Sequence, residues 1–427
     1  MKFAVQTFGC KVNSYESAAM EKVLAEHGFE PVSGCDDADV VIVNSCTVTE
    51  NGDRKVRKFL RHVKRENPGA ITVLTGCMPQ AYPEAAAKIA EADIVTGTGS
   101  RLDIAALIKN YMAGTQKKVA ISDNTAQYFE MLDPTRITGH TRAFLKIEDG
   151  CDRYCSYCIV PFARGQVRSM PLDDIETAAK KFAANGYREL VLTGINLSFY
   201  GRDLGAGLAD AVERVSRAHD IERIRLSSLE PDLLSEQTLV RLSKVSKLCP
   251  HFHLSLQSGC AATLKRMSRH YDAAQFLKLT ARIKELFDNP TFTTDVIVGF
   301  PGETHDEFET SVQFVKSCRF LKVHVFPYSA RPGTAAARFP DQIDRKTKNK
   351  RVREMTKAAD QSRELVMRSF VGTMDSVVLE QPGGDGFEGY TSRYLPVTVR
   401  GENLETGMIV AGVIEHDNSG YYIVGSG

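Results

Sequence analysis

The sequence predicts an α/β protein of three parts: a parallel α/β sandwich domain at the N-terminus, a central partial (βα)6 barrel and a small C-terminal β-barrel. Twice along the chain, short apolar segments alternate with amphipathic helical segments, which is typical of parallel strands covered by helices. From about residue 371 the helical period disappears, and short strand-like segments are separated by turn residues. A chain of 427 residues with 43% hydrophobic content is long enough for two or three cores.

The N-terminal part, predicted to span residues 1–125, contains four strands that each precede a helix. The strands are KFAVQTFG, VVIVNS, ITVLTG and DIVTGT, and the helices are SYESAAMEKVLAEHG, a charged segment from about Arg54, PEAAAKIAEA and RLDIAALIKNYM. This alternation predicts a parallel sheet with helices on both faces. Residues 113–140 lose the pattern and are predicted to form a linker.

The central part, predicted to span residues 137–370, contains six strands separated by helical segments. The strands are AFLKIEDG, ELVLTGIN, RIRLSSL, HFHLSLQ, FTTDVIVGF and KVHVFPYS. Eight such units would close a (βα) barrel, so six predict a barrel that is open on one side. A basic helix from about Arg345 to Phe370 follows. The last part, residues 371–427, is predicted to form a five-stranded β-barrel from DSVVLE, FEGYTS, YLPVTVR, MIVAGVIE and YYIVGS.

The composition indicates the cellular setting. No apolar stretch reaches the length of a transmembrane helix, and the N-terminus lacks the apolar core and cleavage site of a signal peptide, so we expect a cytoplasmic protein. Cytosolic cysteines stay reduced, which favours metal binding or catalysis over disulfides for the ten cysteines. Four of them follow no pattern and are predicted to be structural: Cys35, Cys249, Cys260 and Cys318.

Three cysteines occupy equivalent places in the N-terminal part. Cys10, Cys46 and Cys77 each follow a predicted strand. Because the carboxyl ends of parallel strands meet at one edge of a sheet, where ligands bind, these cysteines are expected to converge and to hold a metal group. The alternative is three incidental thiols, since free cysteine is often a small core residue.

Three more cysteines, Cys151, Cys155 and Cys158, lie close together in CDRYCSYC, after the first barrel strand. Closely spaced cysteines in a loop are typical of iron–sulfur clusters, and three thiolates on a [4Fe–4S] cluster leave one iron open to another ligand. The alternative is a zinc site that takes His251 or His253 as its fourth ligand. Those histidines alternate with apolar residues in HFHLSLQ and are more typical of a strand.

The six cysteines and their surroundings resemble the radical S-adenosylmethionine (SAM) methylthiotransferase family over essentially the full chain. The matching motifs, in order, are FGCKVNSYES, VNSCTVT, TGCMPQ, KIEDGCDRYCSYCIVPFARGQVRS, HLSLQSG and VIVGFPGE. TFGCKVN with Lys11, RLSSLEP and GYTSRYLPV are most similar to the MtaB branch. The resemblance implies a methylthiotransferase N-terminal domain with an auxiliary cluster, a radical SAM barrel and a TRAM-like β-barrel.

The MtaB branch converts N6-threonylcarbamoyladenosine, next to the tRNA anticodon, to its 2-methylthio derivative. The resemblance therefore implies a tRNA methylthiotransferase. The alternatives within the family are the MiaB branch, which acts on isopentenyladenosine, and the RimO branch, which acts on an aspartate of a ribosomal protein. The alternative from another class is a non-enzymatic iron–sulfur or zinc RNA-binding protein, which would not explain glycines at the tops of six βα units, where they build a small-molecule site.

The resemblance also implies the cofactors, two [4Fe–4S] clusters and SAM. The cluster on the three barrel cysteines would bind SAM and, once reduced, cleave it to methionine and a 5′-deoxyadenosyl radical. The cluster on the three N-terminal cysteines would hold the sulfur to be inserted, and a second SAM would methylate that sulfur. The expected partners are a tRNA anticodon stem-loop, an electron donor such as flavodoxin or ferredoxin, and an unidentified sulfur donor. The protein itself is expected to be a monomer.

Family motifs place further residues near SAM: Thr193, Gly194, Asn196, Gln257, Ser258 and the segment from Gly299 to Glu303. Glycines there allow close backbone approach to a ligand, although glycines at strand ends also serve as simple turns. Tyr157 and Ile159 flank the last cysteine and are expected to shield the cluster or touch the adenine. Arg164 and Arg168 are expected either to bind phosphate or the SAM carboxylate, or to form an exposed, solvated pair.

Two basic segments are candidates for RNA binding. Arg54–Arg65 has seven Lys or Arg in twelve residues, and Arg345–Arg353 has six in nine. Clustered cations that neutralise phosphates supply affinity for RNA of any sequence. The alternative for each segment is a solvated helix face.

The C-terminal part departs from this basic character. Residues 371–427 carry two Arg and eight Asp or Glu, a net charge of −6. This charge disfavours an electrostatic grip on RNA. Contact there would instead use Tyr390, Arg393 and Tyr394, with the aromatic rings stacking on loop bases. The alternative is that these side chains fill the small barrel.

Overall fold

The computed structural model describes residues 1–114, 118–122 and 128–425. Its N-terminal part is a six-stranded parallel sheet between helices, with elements β1 Lys2–Thr7, α1 Lys11–Glu26, β2 Glu30–Pro31, β3 Val40–Ser45, α2 Glu50–Glu66, β4 Ile71–Gly76, α3 Cys77–Ala81, α4 Pro83–Ala87, β5 Ile94–Thr96, α5 Ile104–Met112 and β6 Lys118–Ala120. The strand order is β2-β1-β3-β4-β5-β6. Alternate residues of β3 enter different cores, Val41 and Val43 on one face and Val40 and Ile42 on the other. Burial on both faces explains the continuous apolar run.

Two edge strands were not expected from the sequence. β2 has two residues and β6 has three, and each pairs with one edge of the sheet. β6 lies within residues 113–140, and Phe129, Leu132 and Ile137 from the same range are buried in the barrel core. The linker prediction is therefore wrong for these residues, because pairing and packing with distant elements order a segment too short to show its own period. Residues 115–117 and 123–127 of that prediction lie outside the described residues.

The central part confirms the open barrel of six βα units. Its elements are β7 Ala143–Lys146, β8 Glu148–Asp149, α6 Val160–Arg164, β9 Arg168–Ser169, α7 Leu172–Ala184, β10 Glu189–Thr193, α8 Leu208–Ser216, β11 Arg223–Leu226, β12 Ser228–Leu229, α9 Glu236–Leu242, β13 His251–Leu254, α10 Ala261–Arg266, α11 Ala273–Leu286, β14 Thr291–Val298, α12 His305–Cys318, β15 Lys322–Pro327 and α13 Arg345–Ser369. The parallel orders are β11-β10-β7 and β12-β13-β14-β15, joined by a bridge between Ile224 and Leu248. In the part of the chain that the structure describes, β7 and β15 do not pair, so the barrel stays open there.

The C-terminal part is the predicted five-stranded barrel, and it is closed. Its strands are β16 Met374–Gly383, β17 Gly386–Thr391, β18 Pro396–Arg400, β19 Ile409–Asp417 and β20 Gly420–Val424, in the order β16-β17-β18-β20-β19. Closure leaves no free sheet edge. Its apolar interior includes Val377, Leu379, Val399 and Ile423. Within the three described ranges, no helix is both long and apolar enough to span a bilayer.

A buried ion cluster joins this small barrel to the central one. Arg225 on β11 pairs with Glu189 on β10 (Nε–Oε1 2.7 Å) and donates to the carbonyl oxygens of Thr391 and Ser392 at 3.1 and 3.0 Å. Burial acts to raise the pKa of the Glu189 carboxyl, but Arg225 and Arg223 outweigh it and lower that pKa to about 2. Glu189 is therefore ionised at neutral pH, and its charge holds the guanidinium groups that dock the small barrel.

The residues expected to stack on RNA lie at this same interface. Tyr394 stacks between His251 and Tyr390, with ring centroids 4.6 Å apart in both pairs. Arg393 Nη2 pairs with Asp288 Oδ2 at 2.7 Å. These side chains therefore help to dock the small barrel onto the central one, and the expected stacking of the aromatic rings on RNA bases stays a prediction.

Candidate active site

The structure brings the three N-terminal cysteines to one edge of the sheet. Cys10 precedes α1, Cys46 follows β3, and Cys77 begins α3. A Cβ added to Gly9 would lie 3.1 Å from the Cβ of Cys46, Cys77 and Cys10 both act to raise the pKa of Cys46, and Cys10 acts to raise that of Cys77. Convergence at the strand ends therefore agrees with the expectation from their spacing.

The polar side chains behind this triad were missed in the sequence. Asn13 Oδ1 accepts the backbone N–H of Cys10 at 3.3 Å, and Asn13 Nδ2 donates to Asn44 Oδ1 at 3.1 Å. Both asparagines are buried. Asn13 lies three residues after Cys10 in CKVN, and Asn44 lies two residues before Cys46 in VNSC, so the signal that could have found them is an asparagine close to a triad cysteine.

Two of the three N-terminal thiols, those of Cys46 and Cys77, lie where burial opposes charge on sulfur, whereas Cys10 is exposed. Burial raises the pKa of the Cys46 thiol to about 12, and the neighbouring Cys77 and Cys10 add to the increase. Burial also raises the pKa of Cys77, while Arg164 opposes that change. The Nε of Arg164 donates to Cys77 Sγ at 3.2 Å. Three thiols this close ionise together only against a positively charged group, and a bound metal supplies that charge.

The barrel triad lies in a single loop between β8 and α6. The N–H of Cys158 donates to the carbonyl oxygen of Cys155 at 2.9 Å, which makes the loop turn tightly. Burial raises the pKa of Cys151 to about 11 and that of Cys158 to about 12. Arg269 Nη1 donates to Cys155 Sγ at 3.3 Å, and Asn196 Nδ2 approaches Cys151 Sγ at 3.9 Å.

These donor sets fit iron–sulfur clusters better than single metal ions. In residues 1–114, 118–122 and 128–425, no three side chains of His, Cys, Asp or Glu are spaced to hold one ion. A zinc ion draws its ligands to about 2.3 Å, whereas a cluster spreads them around several irons. His251 Nε2 and His253 Nδ1 both contact Thr293 Oγ1 at 2.9 Å, so β13 and β14 hold these histidines. Nitrogen donors directed at Cys77, Cys155 and Cys151 are the contacts that orient and tune a bound cluster.

Two adjoining cavities lie between the triads. One, the Cys158 cavity, encloses about 200 Å³ and is lined by Val48, Thr49, Tyr157, Cys158, Ile159, Val160, Gln257, Asp295, Ile297, Phe326, Pro327, Tyr328 and Ser329. The other, the Cys10 cavity, encloses about 370 Å³ and is lined by Cys10, Lys11, Arg142, Val191, Arg225, Leu226, Ser227, Ser228, His251, His253, Thr293, Asp295, His324, Phe326 and Tyr394. Both cavities, together called the cleft, are lined by Asp295 and Phe326, so they adjoin there, and each is lined by one triad cysteine, Cys158 or Cys10.

Five of the residues expected near SAM lie beside the barrel triad. Tyr157, Ile159 and Gln257 line the Cys158 cavity. The N–H of Asn196 donates to a carboxylate oxygen of Glu148 at 2.8 Å, and a Cβ on Gly194 would lie 2.5 Å from that same oxygen. Glycine at this position is therefore needed for the close approach of two strand ends.

Glu148 itself was missed in the sequence. Burial raises the pKa of its carboxyl well above the ordinary value, against the opposing hydrogen bonds from backbone N–H groups. Its second oxygen is buried and has no hydrogen-bond partner in the described part of the chain. A raised pKa and an unpaired oxygen next to Cys151 are features of functional sites.

The other four residues expected near SAM support the ends of strands. Thr193 is buried, and its carbonyl oxygen accepts the N–H of Ile147 at 2.9 Å. Ser258 Oγ accepts the N–H of Cys260 at 3.2 Å in the loop after β13. Glu303 accepts the N–H of Gly299 at 2.7 Å and pairs with Arg351 Nη1, also at 2.7 Å, which holds the turn after β14 against α13.

Arg164 and Arg168 are neither free anion ligands nor an exposed pair, so both sequence-based alternatives are wrong. Both side chains are buried. Arg164 Nη2 donates to Glu16 Oε2 at 3.0 Å, and Arg168 Nη2 lies 3.6 Å from Asp149 Oδ2. α6 packs against α3 of the N-terminal part, so both arginines lie in the interface between the two parts.

Glu16 is the centre of this interface and was missed in the sequence. Lys146 Nζ and Arg101 Nη2 reach Glu16 Oε1 at 2.9 and 2.8 Å, in addition to its contacts with Arg164. Burial acts to raise the pKa of Glu16, but Arg101, Arg164 and Lys146 together lower it to about 2. Its partners are distant in the chain, so no local pattern identifies it.

The two basic segments differ in exposure. On α2, beside the loop that contributes Val48 and Thr49 to the cleft, a set of cations is exposed: Arg54, Lys55, Arg57, Lys58 and Arg61. On α13, Arg351 is buried against Glu303, and Lys350 lies 3.6 Å from Glu354. The α2 segment therefore offers the freer positive surface.

The comparisons with known proteins agree with this architecture. Residues 2–97 match the family described as Uncharacterized protein family UPF0004, and residues 145–315 match the Radical SAM superfamily. The fold of the cobalamin- and [4Fe–4S]-bound radical SAM methyltransferase TsrM from Kitasatospora setae is similar, with a TM-score of 0.58 and 14% identity over 78% of this chain and 73% of that one. At this identity the likeness concerns the fold alone.

Two curated relatives cover most of the chain. The threonylcarbamoyladenosine tRNA methylthiotransferase MtaB of Bacillus subtilis is 36% identical over 95% of this chain and 92% of its own length. A tRNA-2-methylthio-N(6)-dimethylallyladenosine synthase of Clostridium botulinum is 34% identical over 89% of this chain and 86% of its own length.

Proposed function

Because the chain belongs to the MtaB branch of the radical SAM methylthiotransferases, we propose that it adds a methylthio group to carbon 2 of N6-threonylcarbamoyladenosine next to the anticodon of tRNA. The observation that supports this most directly is the pair of adjoining cavities, one lined by a cysteine of the barrel triad and the other by a cysteine of the N-terminal triad. A base held in that cleft would face both triads, as a reaction that joins a sulfur to a ring carbon requires.

The proposal assigns one cofactor set to each cavity of the cleft. Cys151, Cys155 and Cys158 would hold the [4Fe–4S] cluster that binds SAM, and the three N-terminal cysteines would hold the second [4Fe–4S] cluster. When bound, these groups supply one-electron chemistry and the sulfur, which the side chains of the protein cannot supply. The protein contributes binding, orientation and a controlled electrostatic environment.

The cleft residues would bind and orient the reactants. Tyr157, Ile159, Gln257, Gly194 and Asn196 surround the barrel triad and would position SAM there. Ser258 would act through the loop after β13, and Gly299 and Glu303 through the turn after β14, which they stabilise. On the other side, the ring of Tyr394 enters the wall of the Cys10 cavity from the small barrel, already stacked on His251. We propose that the small barrel thereby completes the base-binding wall.

The remaining assignments complete the proposed setting. The exposed cations of α2 would bind phosphates of the anticodon stem-loop near the mouth of the cleft. A small electron carrier such as flavodoxin or ferredoxin would reduce the barrel cluster, and the enzyme would act as a monomer in the cytoplasm. We place the domain boundaries at residues 1–125, 137–370 and 371–427.

A second candidate substrate is dimethylallyl-modified adenosine, which the relative at 34% identity favours. Mass spectrometry of tRNA nucleosides from cells lacking the gene separates the two. We expect 2-methylthio-N6-threonylcarbamoyladenosine to disappear and its unmethylthiolated precursor to accumulate. The intact gene should restore it, and a gene with Cys151, Cys155 and Cys158 changed to alanine should not. Loss of only the dimethylallyl derivative would overturn the substrate assignment, and no change in any tRNA nucleoside would overturn the RNA substrate.

A further inference from the structure

The Cys10 cavity contains buried polar atoms without partners. His251 Nδ1 and Ser227 Oγ have no hydrogen-bond partner in the described residues, although His251 is 4% and Ser227 7% exposed. Both residues line the cavity. Buried polar atoms in native proteins are nearly always paired, so two orphans in residues that line one cavity favour a ligand there that brings hydrogen-bonding atoms with it.

The same cavity has one uncommitted cation. Lys11 lines it next to Cys10, and no carboxylate of the described residues lies within ion-pairing distance of its ammonium group. The other two cations of the wall already have partners: Arg142 pairs with Glu380 at 2.6 Å, and Arg225 pairs with Glu189.

The wall carries charges of both signs. Asp295 is the one carboxylate in the described lining; it also lines the Cys158 cavity and pairs with His253 at 3.4 Å. Lys11 forms no ion pair with Asp295, but its charge contributes to the lowered pKa of that carboxyl. An anionic group on a ligand would be attracted by Lys11 and repelled by Asp295.

We propose that the Cys10 cavity selects the substituent on N6 of the adenine, with Lys11 pairing with its carboxylate and Ser227 and His251 hydrogen-bonding its hydroxyl and amide groups. This inference rests on the proposed function, because it requires the base to enter the cleft. The threonylcarbamoyl group carries all three kinds of polar group, whereas the dimethylallyl group carries none. A volume of about 370 Å³ is within the range of small-ligand pockets.

A pocket of this kind discriminates strongly between the two substituents. An apolar group would bring no partner for the Lys11 ammonium and would leave the buried Ser227 Oγ and His251 Nδ1 unpaired. Sites built to hydrogen-bond a substrate reject analogues that lack the partner by large factors, on the order of 10⁴-fold in favourable cases. The cavity thus gives a physical reason for preferring one of two substrates whose enzymes are almost equally similar to this chain.

The test compares anticodon stem-loops that differ only in the N6 group: threonylcarbamoyl, its uncharged methyl ester, and dimethylallyl. Lys11→Met removes the ammonium and keeps the aliphatic stem. We expect kcat/KM for the threonylcarbamoyl RNA to fall about 10- to 100-fold, mainly through KM. With the unaltered enzyme, kcat/KM for the methyl ester RNA should be lower than that for the threonylcarbamoyl RNA by a similar factor. Lys11→Met should lower kcat/KM for the methyl ester RNA little further, because the charge pair is already absent.

Two further measurements exclude trivial explanations. Fluorescence anisotropy of labelled stem-loops should give the same ratio of dissociation constants without turnover, and iron content should show that Lys11→Met retains its clusters. Ser227→Ala removes one unpaired hydroxyl without changing the charge of the cavity. We expect kcat/KM to decrease about 3- to 10-fold for the threonylcarbamoyl RNA alone. Lys58→Met, on the exposed face of α2, is the matched control and should weaken all three RNAs equally.

The outcomes separate this inference from the proposed function. If Lys11→Met weakens all three RNAs by one factor, as Lys58→Met does, Lys11 binds a backbone phosphate and the inference fails. Suppose that the unaltered enzyme converts the threonylcarbamoyl RNA, and that Lys11→Met has the same kcat/KM as the unaltered enzyme for each of the three RNAs. The inference then fails and the proposed function stands. If the unaltered enzyme converts only the dimethylallyl RNA, the proposed function itself fails.

Discussion

The two cysteine triads are built in opposite ways. Cys151, Cys155 and Cys158 lie within eight residues of one loop, whereas Cys10, Cys46 and Cys77 come from three separate strand ends. A single turn therefore assembles the barrel triad, but the N-terminal triad exists only after β1, β3 and β4 have paired. Local geometry supports the first, and the topology of a parallel sheet supports the second.

The arginines that reach the sulfurs show the same difference. Arg269, which donates to Cys155, belongs to the same barrel as its triad. Arg164, which donates to Cys77, comes from the other part of the chain and is held by Glu16. The N-terminal triad therefore depends on docking between domains, and the barrel triad does not.

Single alanine changes should separate the roles of the triads, and this is the largest expected effect. Cys155→Ala and Cys46→Ala should each lower iron from about eight to about four atoms per chain, since each removes one ligand of one cluster. Cys155→Ala should abolish formation of 5′-deoxyadenosine from SAM. Cys46→Ala should keep that activity and lose methylthiolation. Iron assay and mass spectrometry of both products measure these changes.

Cys249→Ala is the control for that comparison. Cys249 is buried and lies outside both triads, so this variant should keep its iron and both activities. Loss of 5′-deoxyadenosine in Cys46→Ala would contradict the assignment of separate roles.

Arg164→Met should destabilise the docking of the N-terminal domain by about 3–5 kcal/mol, because it leaves Glu16 and Asp149 buried with less compensating charge. The pH dependence has a definite sign. Glu16 has its pKa lowered from 4.5 to about 2, so the stability it contributes is present above pH 4.5 and lost as the pH falls toward 2. The difference between the unaltered protein and Arg164→Met should therefore be largest near pH 7 and should narrow below pH 4.5. Thermal unfolding midpoints between pH 7 and pH 3 measure it.

The matched control is Arg282→Met, which removes an exposed arginine from its pair with Glu236. Exposed pairs contribute little, so its unfolding midpoint should not change measurably. If the difference in unfolding midpoint between the unaltered protein and Arg164→Met stays constant from pH 7 to pH 3, ionisation of Glu16 does not cause the effect of the substitution.

The smallest expected effect concerns tRNA binding by α2. Changing Lys55 and Lys58 to Gln removes two exposed cations, so affinity should fall about 10-fold near physiological salt and the slope of log K against log salt should decrease by about 1.5–2. Changing Lys346 and Lys350 on α13 to Gln should have less effect, because Lys350 already lies near Glu354. Binding isotherms at several salt concentrations measure both. Equal effects would show that both helices contact the RNA.

Elements with a local sequence pattern could be predicted, whereas residues ordered by distant partners could not. The apolar runs VVIVNS and ITVLTG identify buried parallel strands, because such strands are covered on both faces and tolerate few polar residues. The edge strand β6 and the core residue Leu132 were missed, because neither has a period long enough to detect and both are ordered by distant partners. The same limit applies to Arg164, which looked like an anion ligand because its partner Glu16 is far away in the chain.

The sequence by itself determined the order of the three parts, the loop of the barrel triad and the resemblance to the family, because strand and helix periods, cysteine spacing and motifs are local properties of the chain. Tertiary structure alone decided three other facts. It determined which charged side chains pair at domain interfaces, it determined the position of Tyr394, and it brought Lys11, Ser227 and His251 to the lining of one cavity. Those facts depend on pairs of residues far apart in sequence, and burial, not residue type, determines whether such a pair holds the fold together or remains free to bind a substrate.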